Sequence, residues 1–199
     1  MKKLLTLALV MVSLTLLAQK KPLDHSVYDG WKNVGAFNMT DDAKYTIFLV
    51  NAQEGDSYLV ALNLTNYTKD SIPRVVQPKL SADGKFVAMT IRPFFAQTKE
   101  ARLKKVKPDQ MPKDTLGIYN LHTKELKKIP YLKNLKIGKY GKDFIAFQSN
   151  PPADTSKNKK PVKKEKDEGE DLMVLQMSTG KIDTLKFISE YDFSTGGDS

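Results

Sequence analysis

One unit occurs three times along this chain, and that repetition leaves little choice of fold. Its first half is a polar turn ending in Lys, followed by an apolar run rich in β-branched and aromatic residues. Met39–Lys44 leads into Tyr45–Val50, Leu80–Lys85 into Phe86–Ile91, and Ile137–Lys142 into Asp143–Phe147. Such runs fit a pleated, packed surface better than a helix. Their near-continuous apolar character predicts strands buried on both faces. In the second unit Asp83-Gly84 supplies the positive φ that a tight turn into a strand requires. Each unit also has a second half. Leu59–Leu64 precedes Thr68–Pro73; Leu116–Leu121 precedes His122–Leu126, with Ile129-Pro130 closing; Leu172–Met177 precedes Ser178–Ile182, with Leu185 in the returning strand.

Two hairpin halves make a four-stranded sheet. The Lys anchors Lys44, Lys85 and Lys142 lie 41 and 57 residues apart, against the ~40–50 of propeller blades. The expectation is therefore an all-β chain, a partial β-propeller of about three four-stranded blades at 38–75, 76–131 and 132–187, with a further blade starting at 188–199. The longer spacing comes from insertions between the halves. Residues 92–113 carry seven basic side chains (Arg92, Lys99, Arg102, Lys104, Lys105, Lys107, Lys113) against Glu100 and Asp109. Their apolar members, among them Phe94, Phe95, Leu103 and Met111, suit packing on the sheet. Residues 149–171 are Pro-rich, then Lys-rich, then acidic. With so little apolar surface to offset ordering entropy, they are expected to be disordered.

The first nineteen residues read differently. Met1-Lys2-Lys3 is a basic start and Leu4–Ala18 an apolar run, shorter than the ~20 residues that span a bilayer. This is the pattern of a signal peptide (1–19) cleaved near Ala18-Gln19, so the mature protein is expected to be periplasmic or secreted, with no stable membrane anchor. Residues 20–37 are read as an N-terminal clasp. In it, Asp24 caps a short helix, Leu23 and Tyr28 form a staple, and Val27 and Trp31 bury one face. The chain has no Cys, which excludes disulfides and a lipid-bearing cysteine. Its net charge of +9 falls to +7 once Lys2 and Lys3 leave. That excess sits mostly in one inserted loop of an exported protein, so nucleic acid is not an expected partner. His25 and His122 stand apart with no carboxylate or thiol cluster, and neither a metal site nor any cofactor site is assigned.

At three stretches the sequence resembles the non-catalytic propeller of the prolyl oligopeptidase family of serine peptidases, in its exported bacterial members. They are Lys21–Trp31 (KPLDHSVYDGW), Ile91–Phe95 (IRPFF) and Lys107–Asp114 (KPDQMPKD); the Ser81–Lys85 turn agrees but is common to many propellers. The resemblance covers almost all of the chain from Pro22 onward. It implies a propeller that precedes an α/β-hydrolase domain and gates peptide substrates, in a parent that cuts short peptides. No catalytic residue is carried over. A hydrolase nucleophile sits in G-x-S-x-G, and Ser194, before Thr195-Gly196-Gly197, has Asp192 where the first Gly belongs. A triad also needs a His held by a carboxylate beside that serine, and His122 lies in a hairpin turn without one.

Ile188–Ser194 looks like the opening of another blade, and three units do not close a ring; the expectation is a fragment of a longer polypeptide. The competing reading is a stand-alone propeller-like binding or scaffold protein of the cell envelope. A first prediction follows from the charged insertion. Brief trypsin treatment should cut first among Lys157, Lys159, Lys160, Lys163, Lys164 and Lys166, as mapped by mass spectrometry. First cuts at Lys85 or Lys142 would reverse the assignment of order along the chain.

Overall fold

A computed structural model describes residues 25–151 and 169–194. The expected signal peptide, the expected Leu23 and Asp24 cap, most of the charged insertion and residues 195–199 lie outside the described residues. Eleven antiparallel strands and one α-helix make up the described chain. They form two open sheets. The first has the order β1 (Lys32–Met39), β2 (Tyr45–Ala52), β3 (Tyr58–Asn63), β4 (Lys69–Pro73). The second runs through seven strands in sequence order: β5 (Val75–Leu80), β6 (Phe86–Ile91), β7 (Asp114–Asn120), β8 (Leu126–Ile137), β9 (Phe144–Ser149), β10 (Glu170–Gln176) and β11 (Ile182–Ile188). The chain is thus all-β, loosely propeller-like, with both sheets unclosed.

The two sheets disguise a threefold repeat. β8 is 12 residues long; its first part pairs with β7 and its second part with β9, so one strand ends the second unit and begins the third. The handover bends at Tyr131 (φ 65°), and the break between β4 and β5 bends the same way at Arg74 (φ 64°). The carbonyl at each bend accepts from the first residue beyond a later strand: Arg92 N–H donates to Arg74 O at 2.9 Å and Asn150 N–H to Tyr131 O at 2.8 Å. Gln53 N–H donates to Trp31 O in the same manner at 2.9 Å. Outer hairpin turns repeat as well, with left-handed Tyr67, Lys124 and Gly180 spaced 57 and 56 residues apart.

The Lys-ending turns show why the sequence repeats. Thr40 Oγ donates to Asp42 Oδ1 at 2.7 Å and accepts from Tyr45 N–H at 3.1 Å, while Lys44 N–H donates to the same carboxylate at 3.1 Å. Ser81, Asp83, Lys85 and Phe86 make the identical set at 2.7, 3.0 and 3.2 Å. Thr40 and Ser81 are buried, so each hydroxyl satisfies a strand-start N–H that water does not reach. Residue 43 or 84 must then turn left-handed. Gly84 does so at φ 69°, with Thr40 of the preceding unit where a Cβ would stand. The third turn has Gly138 in place of the hydroxyl residue; Asp143 instead accepts from Ser178 N–H at 2.7 Å and Ser178 Oγ at 2.6 Å.

Two cores lie between the units. Ile47, Leu49, Leu59, Ala61 and Ile72 face Val75, Val87, Met89 and Ile91 in one. Phe86, Ala88, Leu116 and Ile118 face Leu132, Ile145, Phe147 and Leu175 in the other. β6 belongs to both, and all six of its residues are buried. Gly117 makes room for this: a Cβ there would meet Ile91 Cδ1 at 2.7 Å and Met89 Cγ at 3.0 Å.

Three expectations need correction. Residues 25–30 form only a six-residue 3-10 helix, and Trp31 is 56% exposed, edge-on to Tyr28 at 4.9 Å, rather than burying a helix face with Val27. From Lys32 the expected clasp is already strand β1. The insertion after β6, with Phe94 and Leu103 expected to pack on the sheet, contains the helix α1 (Phe95–Leu103) and leaves both side chains exposed. Ala96, Gln97, Lys99, Glu100, Ala101, Arg102 and Leu103 are strong helix formers, and Lys104 pairs with Glu100 one turn back at 2.5 Å. The helix buries no residue, so the apolar pattern that reveals packed helices is missing.

Met89→Ala removes a fully buried side chain from the strand shared by both cores and should cost about 2–5 kcal/mol by urea unfolding, whereas Leu103→Ala, 76% exposed, should stay within about 0.5 kcal/mol. The turns predict acid sensitivity. Hydrogen bonds from Thr40 and Lys44 lower Asp42 to about 2. Burial raises Asp83, and the bonds from Ser81 and Lys85 more than offset it, leaving it lowered. Both carboxylates are depressed in the fold, so they stabilise above their ordinary pKa near ~4 and that contribution is lost as pH falls through the folded value. The urea midpoint should drop between about pH 4 and pH 2, and Asp42→Asn should flatten part of that slope.

Candidate functional site

The described cavity with the most pronounced chemistry lies on the rim where the first unit hands over to the second. It has a volume of about 430 Å³. The β2–β3 loop supplies Gly55, Asp56 and Ser57, the handover supplies Arg74 and Val76, and the insertion with the start of β7 supplies Arg92, Phe95, Arg102, Met111 and Asp114.

The roof is held down across the unit boundary. Phe95 N–H donates to Asp56 Oδ1 at 2.9 Å, and Lys99 Nζ pairs with Glu54 at 2.6 Å. These exposed contacts orient α1 more than they stabilise the fold. Arg74 is fixed more firmly. Its N–H donates to Ser57 O at 2.6 Å, its guanidinium donates to Arg92 O at 3.0 Å, and its plane lies 4.1 Å from the Phe94 ring centre, within cation–π range. Its Nε is shielded from solvent and has no hydrogen-bond partner, alone in this respect among the described side chains. Leaving such a group unsatisfied costs about 1–3 kcal/mol, more when charged.

Charge at the floor is balanced differently. Burial raises the carboxyl of Asp114 above its ordinary value, and Arg92 draws it partly back. The cleft therefore sets three guanidinium groups against two carboxylates, one of them already engaged with Phe95 N–H.

The residues weighed from sequence are not brought together. His122 is exposed, its ring 5.4 Å from that of Tyr45 and its backbone N–H donating to Asn120 Oδ1. Ser194 is exposed beyond β11, and the side chain of His25 lies outside the described residues. Among the described residues no group of three His, Asp or Glu side chains converges as a metal site would require. No described helix is long and apolar enough to cross a membrane. Sequence reasoning noted the basic character of 92–113 but not Arg74, whose only local sign is its place after Pro73 between two strands.

No protein-family model matches the chain, and no curated protein matches it. Solved structures give distant, partial likenesses to propeller and peptidase proteins. The β-propeller domain of the Trilobed protease from Pyrococcus furiosus is 12% identical with a TM-score of 0.48, over 78% of this chain and 43% of that one. An acylaminoacyl peptidase from Pyrococcus horikoshii is 9% identical with a TM-score of 0.48, over 84% of this chain and 27% of that one. A prolyl endopeptidase is 14% identical with a TM-score of 0.46, over 81% and 23%. The chain spans less than half the length of each.

Proposed function

We propose that this chain is the non-catalytic, substrate-gating propeller portion of an exported serine peptidase of the prolyl oligopeptidase family, acting with an α/β-hydrolase domain encoded beyond this sequence. The observation that carries the reading is a convergence. Two of the three stretches on which the family resemblance rests, 91–95 and 107–114, meet at one cleft, where Arg92, Pro93, Phe95, Met111, Pro112 and Asp114 all line the wall. Residues far apart in the insertion thus serve one rim feature. In this reading the units form a rigid frame, and the insertion narrows the approach for peptides travelling to the hydrolase. Function resides in rim loops carried by a packed scaffold, as is common where loops vary and sheets do not.

The test uses the protein as the cell makes it. An antibody against residues 25–151 should recover from the cell envelope a polypeptide well above the 22.4 kDa of this chain, and a fluorophosphonate probe should label it. The chain expressed alone should neither label nor hydrolyse proline-containing chromogenic peptides above buffer rates. An unlabelled native product of about the size of this chain alone would replace the gating role with that of an envelope scaffold.

A further inference from the structure

The rim cleft has a feature that gating does not require: three arginines, one of them fixed by Arg92 O and the Phe94 face, line it beside an apolar wall. We propose that the cleft binds a carboxylate monoanion bearing an apolar group, such as the C-terminus of a short peptide, with Arg74, Arg92 and Arg102 around the carboxylate. This goes beyond the peptidase reading and does not depend on it.

Three properties of the cleft select that chemistry. First, Arg74 is pre-ordered. Its backbone is tied to Ser57 and Arg92 and its side chain to Arg92 O and the Phe94 face, so little rotamer freedom remains to lose on binding. A guanidinium presents its donors in a planar fork matched to the two oxygens of a carboxylate. Second, the charge balance admits one negative charge and disfavours two. Three arginines face Asp56 and Asp114, so a monoanion completes neutrality whereas a phosphate dianion overshoots it beside two carboxylates. Third, Phe95, Met111 and Val76 line the same space and offer an apolar wall beside the charge, the usual composition of a small-molecule site.

The experiment is equilibrium dialysis of labelled N-acetyl-Ala-Phe against the full chain, with its C-terminal amide, 3-phenylpropanoate and inorganic phosphate as comparators. The free acid should bind saturably, and the amide and phosphate should bind at least about tenfold more weakly, the loss expected for one charge-assisted bond. Equal binding by 3-phenylpropanoate assigns recognition to the carboxylate and its apolar group; weaker binding adds the peptide backbone to what is read, and both outcomes support the site. Arg74→Gln should abolish binding. Because Arg74 also joins two units, Arg102→Gln on the exposed helix is the companion variant and should weaken binding about tenfold, while Lys104→Gln, outside the cleft, leaves it unchanged. Acid and amide binding alike, phosphate binding more tightly than the acid, no saturable binding, or an equal loss in Lys104→Gln would each overturn the proposal. None of these readouts uses hydrolysis, so they stand or fall separately from the peptidase assignment.

Discussion

A single strand, β6, carries the arrangement of the units. Phe86–Ile91 is buried along its whole length because its two faces belong to different cores: Val87, Met89 and Ile91 point to the first unit, Phe86 and Ala88 to the third. Alternation of side chains along a strand is normally read as one face in and one face out. Here it distributes apolar surface between two neighbours. The middle unit therefore cannot be removed without opening both cores, and each outer unit has one packed face supplied by the middle one. Such stacking is how repeat architectures gain stability from nearest neighbours.

Stacking alone does not set the spacing of units; the turns and handovers do. Thr40 and Ser81 each hold a strand start through a hydroxyl, and Arg74 and Tyr131 each turn the chain into the next unit in a left-handed conformation. A bulky residue held there is strained, by up to about 1–3 kcal/mol, and the surrounding hydrogen bonds sustain it. At Arg74 those bonds come from Ser57 and Arg92, and thus from both units that it joins. The bend is accordingly a feature of the interface and not of the local sequence.

This explains what could and could not be read from the chain. The strands β2, β6, β7 and β10 were legible because their apolar runs are long and bounded by turn residues, and Phe86–Ile91 was located to the residue. The inner strands were less so. β1 carries Gly35 and is mostly exposed, β5 contains Pro78, and both have a bulge, at Ala36 and Gln77, that breaks the alternation. Helix α1 was missed because it buries nothing and so has no apolar stripe. The cleft was missed because its residues come from 55–57, 74–76, 92–102 and 111–114, and no local pattern links a loop arginine to an aspartate forty residues later.

The position of the cleft follows from the same constraint. The second unit's insertion leaves at the end of β6, on the rim where the β2–β3 loop also turns, so it meets the first unit's loop directly. The contacts Phe95 to Asp56 and Lys99 to Glu54 are the consequence. Arg74 lies between them at the handover and reaches Arg92 O, the first carbonyl of the insertion. The guanidinium is thereby held by the backbone and an aromatic face of the second unit's insertion, while the Arg74 N–H donates to Ser57 O of the first unit. A shift of the first unit against the second would move Ser57 and Arg92 apart and break the backbone bond that seats Arg74 on the first unit. Cleft geometry and inter-unit packing are therefore one variable: what stabilises the β6 cores also keeps Arg74 in place, and a ligand bound to Arg74 would tighten the same boundary.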